Sequence, residues 1–101
     1  MTRPRRNSQR DANQAEIVDG LRTLGYRVLD VSAFVGEFDL LVYGLDWQTQ
    51  ELVWRAFEIK TPTGVLTGKE LAFQQDNPGA VQTVCSLEDA MAVFGRGEAM
   101  G

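Results

Sequence analysis

Ile17, Val18, Leu21 and Leu24 recur at the three- and four-residue spacing that puts them on one stripe of a helix. Asp11 followed by Gln14 reads as an N-cap with a weak capping box, and Gly25 closes the segment, so the spacing predicts a helix over about 12–24. Tyr26 to Val31, with Val28, Leu29 and Val31, predicts a first strand. Phe34 to Gly36 turns into a second apolar stretch through Asp39, which ends at Tyr43-Gly44-Leu45-Asp46. After a polar excursion through Gln48, Thr49 and Gln50 the chain returns at about Leu52, and Leu52 to Lys60 completes an antiparallel hairpin. Thr61-Pro62-Thr63-Gly64 interrupts the sheet, because proline has no ladder donor and glycine permits a tight turn. Thr67 and Glu70 match a capping box opening a short helix to about Gln75. Asn77-Pro78-Gly79 is a turn before a strand over Val81 to Cys85. Ser86 with Asp89 caps a last helix whose stripe is Leu87, Ala90, Met91 and Phe94, ended by Gly95. The predicted order is α-β-β-β-α-β-α, an α/β fold with a mixed sheet flanked by helices.

At 101 residues and 44% hydrophobic the chain suits a single core. The expected division is a flexible basic arm over 1–10, one domain over 11–95 and a short flexible tail over 96–101. With no apolar run near the ~18 residues of a membrane span and no signal-like start, the expectation is a cytoplasmic protein without a membrane contact. Cys85, the lone cysteine, reads as a small buried hydrophobe. The chain has no histidine, which removes Cys-His catalysis, most zinc sites and the usual general base. Carboxylates and lysine must carry any catalysis. Trp47 and Trp54 read as packing residues, with Trp47 exposed in the hairpin connection.

The chemistry is concentrated in Phe57-Glu58-Ile59-Lys60 and the Asp39 stretch. Alternate strand residues share a face, so Glu58 and Lys60 point one way and Ile59 the other. Asp39 sits among Phe38, Leu40, Leu41 and Val42, where an ionised group is costly unless a charge or metal compensates it. Brought together by the hairpin, Asp39 and Glu58 would make a Mg²⁺ or Mn²⁺ site, since such an ion uses one or two carboxylates and completes its shell with waters and phosphate oxygens. The Ile59 backbone carbonyl would add a third oxygen. Lys60 would orient the attacking water and offset phosphate charge. The bland alternative is a strand Glu-x-Lys that forms a weak surface ion pair. Glu16 flanks the first helix's apolar stripe, where an exposed glutamate and a residue at the edge of a cleft are both consistent with the pattern.

These segments, in their order along residues 10–94, resemble the small VRR-NUC nucleases of the PD-(D/E)XK superfamily, many of whose stand-alone members are phage-encoded. The segments are Asp11 to Val18, Gly36 to Val42, Phe57 to Lys60, Leu66-Thr67-Gly68-Lys69-Glu70, and Val81 to Val84 with Ser86 to Ala90. The resemblance implies a restriction-endonuclease-like core with Asp39, Glu58 and Lys60 as catalytic residues and Glu16 as a supporting metal ligand. It further implies cleavage of DNA, selective for branched structures such as Holliday junctions or flaps, by a homodimer in the cytoplasm of a host cell. The chain departs from the pattern at Phe38, where a proline is usual, and at Leu71, where a glutamine is usual, with Gln74 or Gln75 as possible substitutes.

The net charge is −4, an unusual balance for a protein that grips phosphates. Arg3, Arg5, Arg6 and Arg10 cluster at the start, so residues 11–101 carry 6 basic against 14 acidic groups, a balance of −8. The arm reads equally as a phosphate-binding tail or an ordinary terminus. Lys69, Thr61 and Thr63 are further candidates for nucleic-acid contact, against ordinary roles as a solvated lysine and turn-stabilising hydroxyls. The expected function is a metal-dependent endodeoxyribonuclease. The alternative is a catalytically inactive, nuclease-like DNA-binding or structural protein.

Overall fold

In a computed structural model, residues 8–96 are described, with side chains from residue 12 onward. The elements are α1 (Ser8–Thr23), β1 (Arg27–Asp30), β2 (Leu40–Asp46), β3 (Glu51–Ile59), α2 (Gly68–Asp76), β4 (Val81–Val84) and α3 (Leu87–Val93). The order is the α-β-β-β-α-β-α of the sequence pattern. Helix α1 begins earlier than the pattern predicts. Nothing from Ser8 to Asp19 is a helix breaker, so Asp11 lies inside the helix and does not cap it. At its end Gly25 takes φ 97°, and the Tyr26 N–H bonds back to the Leu21 carbonyl at 3.0 Å.

The sheet order is β1-β2-β3-β4. β1 with β2 and β2 with β3 are antiparallel, whereas β3 and β4 are parallel, with α2 in the crossover that a parallel pair requires. Leu40 pairs with Phe57 and Tyr43 with Trp54, which sorts every strand residue onto one of two faces. On the first face Val28, Leu40, Val42, Phe57, Ile59 and Val84 are buried with Ile17 and Leu21 of α1 and Ala90 and Phe94 of the α3 end. The Phe94 ring meets Phe57 edge-on at 6.0 Å and Tyr26 at 4.5 Å. Asn13 ties α1 to the strand ends, donating to the carbonyls of Cys85 at 2.9 Å and Lys60 at 3.3 Å.

Among the described residues the second face has only the short helix α2 against it, where Phe73 meets Phe38 at 6.1 Å. This cover reaches Glu58 and Val81, which are buried, and stops short of Leu29, Leu52 and Trp54, which are exposed. Trp54 meets the Tyr43 ring at 4.9 Å and is otherwise half exposed. Cys85 is half-buried. Among the described residues no helix is long and apolar enough to cross a membrane.

Gly44 in β2 permits the buried Tyr26 ring to lie directly on the strand, because a Cβ there would overlap the ring. Gly44→Ala is expected to destabilise the fold by about 2–3 kcal/mol through overpacking. A lowered urea midpoint at unchanged m-value would show it; an unchanged midpoint would mean the ring moves aside freely.

Candidate active site

The hairpin does what its spacing suggests. Leu40 and Phe57 are cross-strand partners on the core face, so their neighbours Asp39 and Glu58 lie together on the second face. The Asp39 N–H donates to the Phe57 carbonyl at 2.9 Å, and Asp39 Oδ2 accepts from the Ile59 N–H at 2.8 Å. Both carboxylates are buried, Glu58 completely. The Lys60 ammonium, just past β3, sits 3.3 Å from Glu58 Oε2.

A third carboxylate completes the cluster. Glu70, on the first turn of α2, lies 3.0 Å from Lys60 Nζ through Oε1, and the same oxygen accepts from the Thr67 N–H at 2.8 Å. The capping box is therefore also a site element: it fixes the Glu70 side chain at the helix start, and the helix start delivers it to Lys60. Leu71 is 45% exposed, so the helix offers the site Glu70 and not its neighbour. One turn later, the Gln74 amide reaches Thr83 Oγ1 at 3.5 Å, and Thr83 is the β4 partner of Glu58 in the sheet. Of the two glutamines considered as substitutes, Gln74 is the one that faces the sheet here.

Three acids and one lysine in so little space cannot all ionise freely. Burial, then a hydrogen bond shared with Glu70 and the negative charges of Asp39 and Glu70, push the Glu58 carboxyl up to about 8, with Lys60 opposing. Burial would also raise Glu70, but the Thr67 N–H, Glu58 and Lys60 outweigh it and hold Glu70 below the ordinary carboxylate range. Glu58 accordingly keeps its proton at neutral pH while Glu70 stays charged. A divalent cation set between the two carboxylates would relieve the Asp39–Glu58 repulsion as the proton does.

Among the described residues no group of three or more His, Cys, Asp or Glu is arranged to hold a metal ion. The Asp39–Glu58 pair nonetheless fits the modest demand of Mg²⁺ or Mn²⁺, which take hard oxygens and need only one or two carboxylates. Comparison with protein-family models, with curated proteins and with solved structures finds no match. The site's chemistry therefore rests on its own geometry.

The remaining sequence-predicted positions are dispersed. Glu16 is exposed and lines a hollow of about 260 Å³ with Asn13, Thr61, Pro62 and Cys85. No contact of the described residues brings it to Asp39 or Glu58. Thr61 closes a turn through its carbonyl, which accepts from the Gly64 N–H at 3.0 Å, and Thr63 is exposed. Lys69 is exposed beside Gly36. Arg3, Arg5 and Arg6, and the side chain of Arg10, lie outside the described residues, as does the tail beyond Arg96. Sequence reasoning missed Glu70 as a site residue because Thr-x-x-Glu already had a sufficient local explanation.

Proposed function

We propose that this protein is a metal-dependent endonuclease that hydrolyses DNA phosphodiesters. The observation that carries the reading is the register that sets Asp39 beside Glu58 on a buried patch, with the Lys60 ammonium against it. Asp39, Glu58 and the Ile59 carbonyl would hold Mg²⁺ or Mn²⁺, and Glu16 is proposed as an outlying support. When bound, the ion supplies charge stabilisation for the phosphoryl transition state. Lys60, held 3.0 Å from Glu70 Oε1, would orient the attacking water and offset phosphate charge.

The sequence order and the αβββαβα fold support placing the chain with the VRR-NUC type nucleases. On that analogy the substrate is branched DNA, a junction or flap, and the active species a homodimer. A second reading, a nuclease-like protein that binds DNA without cutting, is favoured by one observation: Lys60 is engaged by two carboxylates at once.

The test is cleavage of matched linear, flap and four-way-junction DNAs in Mg²⁺ and Mn²⁺. Asp39→Asn and Glu58→Gln, purified identically, are expected to lose at least about 10³-fold in rate, the size of losing a principal electrostatic element. Cutting that survives in both variants would trace to a contaminant or to another site. No cutting by the folded wild-type chain would leave the binding-only reading.

A further inference from the structure

The open second face of the sheet continues from the carboxylates to the far end of the strands, where a hollow of about 740 Å³ wraps the sheet edge, lined by Arg27, Leu29, Tyr43 and Leu52 from this face and by Arg22, Tyr26 and Arg96 from the helix-covered side. Arg22, Arg27 and Arg96 line it, and among the described residues its lining includes no carboxylate. The chain's charge makes this notable. Residues 12–96 hold six basic side chains, of which Arg55 is paired with Asp46 and Lys60 with Glu58 and Glu70. Three of the other four gather in this one place, Arg22 donating there to the Val28 carbonyl at 3.0 Å and Arg96 lying over the Tyr26 ring, on a protein whose net charge is −4.

The hollow is aromatic as well as cationic. Trp47 is 46% exposed at its rim, with the Arg96 guanidinium 5.3 Å from its ring centre. By register, Arg27 and Tyr43 face the same side as Trp54, and that side is the one carrying Asp39 and Glu58. The Tyr43–Trp54 pair, with Tyr43 in the lining of the hollow and Trp54 48% exposed, thus leads from the hollow toward the acids. From Asp39 to Leu45 the strand advances ~20 Å at ~3.3 Å per residue.

We infer that this face is a track for single-stranded nucleic acid, its phosphates held by the Arg22, Arg27 and Arg96 hollow and its bases stacked on Trp47 and the Tyr43–Trp54 pair. Stacking platforms joined to a cationic groove are what unpaired strands require, and a paired duplex keeps its base faces inside. The inference rests on the proposed function for its ligand, and it narrows that substrate to DNA with an unpaired strand, such as a flap.

Both tryptophans of the chain lie on this track, so their emission reports occupancy directly. The experiment titrates the full chain, in EDTA, with a twelve-nucleotide thymidine oligonucleotide, a duplex of equal length, and polyglutamate. Saturable quenching is expected, at least about fivefold tighter for the single strand than for duplex, with none from polyglutamate. Arg27 is exposed, so Arg27→Glu should fold normally. It is expected to weaken binding about tenfold and lower the salt slope by about one. Trp54→Leu should weaken binding about tenfold at unchanged slope. Lack of quenching, equal affinity for duplex, or indifference to both variants would overturn the track. So would a concentration-dependent dimer that Trp54→Glu dissociates while oligonucleotide affinity stays unchanged, since the face would then belong to a second copy. Because these titrations exclude metal, which cleavage requires, loss of the track and loss of the nuclease reading are separable. Cleavage without quenching removes the first; quenching without cleavage removes the second.

Discussion

Glu58→Gln is expected to raise the melting temperature by about 5–10 °C at pH 8.5–9, about 1–2 kcal/mol. The wild-type carboxyl is raised from 4.5 to about 8 by burial, the Glu70 hydrogen bond and the nearby charges. A group whose folded pKa lies above its unfolded one favours the fold while both states are protonated. Its contribution is complete below about 4.5 and is lost progressively as pH rises through about 8. Glutamine never ionises, so the gap between variant and wild type should be small near pH 4.5, widen toward pH 8 and level off above it. Melting curves across pH 4–9 test this, and a gap independent of pH would mean that Glu58 does not titrate in this range.

The same experiment with Mg²⁺ or Mn²⁺ links stability to function. A cation held by Asp39 and Glu58 takes the place of the proton, so it should stabilise wild type more at pH 8 than at pH 6. It should leave Glu58→Gln nearly unmoved. Stabilisation of both proteins alike would place the ion elsewhere.

Lys60→Met is expected to destabilise the protein by about 2–4 kcal/mol, because it leaves Glu70 charged, largely buried and without its cation. Adding Glu70→Gln should recover at least about half of the loss, since the neutral amide can still accept from the Thr67 N–H. Urea unfolding of the two single variants and the double variant gives the coupling directly. Additive losses would show that the 3.0 Å bridge contributes nothing beyond its separate members. The result bears on catalysis too: a rate lost in Lys60→Met counts as chemical only when measured on a folded sample.

These effects separate what could be read along the chain from what could not. Local signals carried the elements: the Ile17 to Leu24 stripe, the Thr67–Glu70 and Ser86–Asp89 caps and the Asn77-Pro78-Gly79 turn each have a cause within a few residues. The start of α1 was missed because Asp11 resembles a cap, whereas Ser8 to Arg10 continue the helix at little cost. Period-two alternation and the hairpin were enough to put Asp39 and Glu58 on one face, since pairing the two apolar arms leaves little choice of register.

The sequence by itself determined the α/β order, the strand pair and the two acids it joins, because periodicity, capping and hairpin closure are short-range. Only the tertiary structure decided that Glu70 joins Lys60 and Glu58, that Glu16 stays exposed away from them, and that arginines from α1, β1 and the chain beyond α3 meet in one hollow. Those meetings depend on where the α2 crossover lays its helix and on how α1 and α3 pack across the sheet. The groups that meet sit on different elements, Glu70 across the loop from Lys60 and Arg96 far along the chain from Arg22 and Arg27, so no preference within one element specifies them; the burial of a common core does.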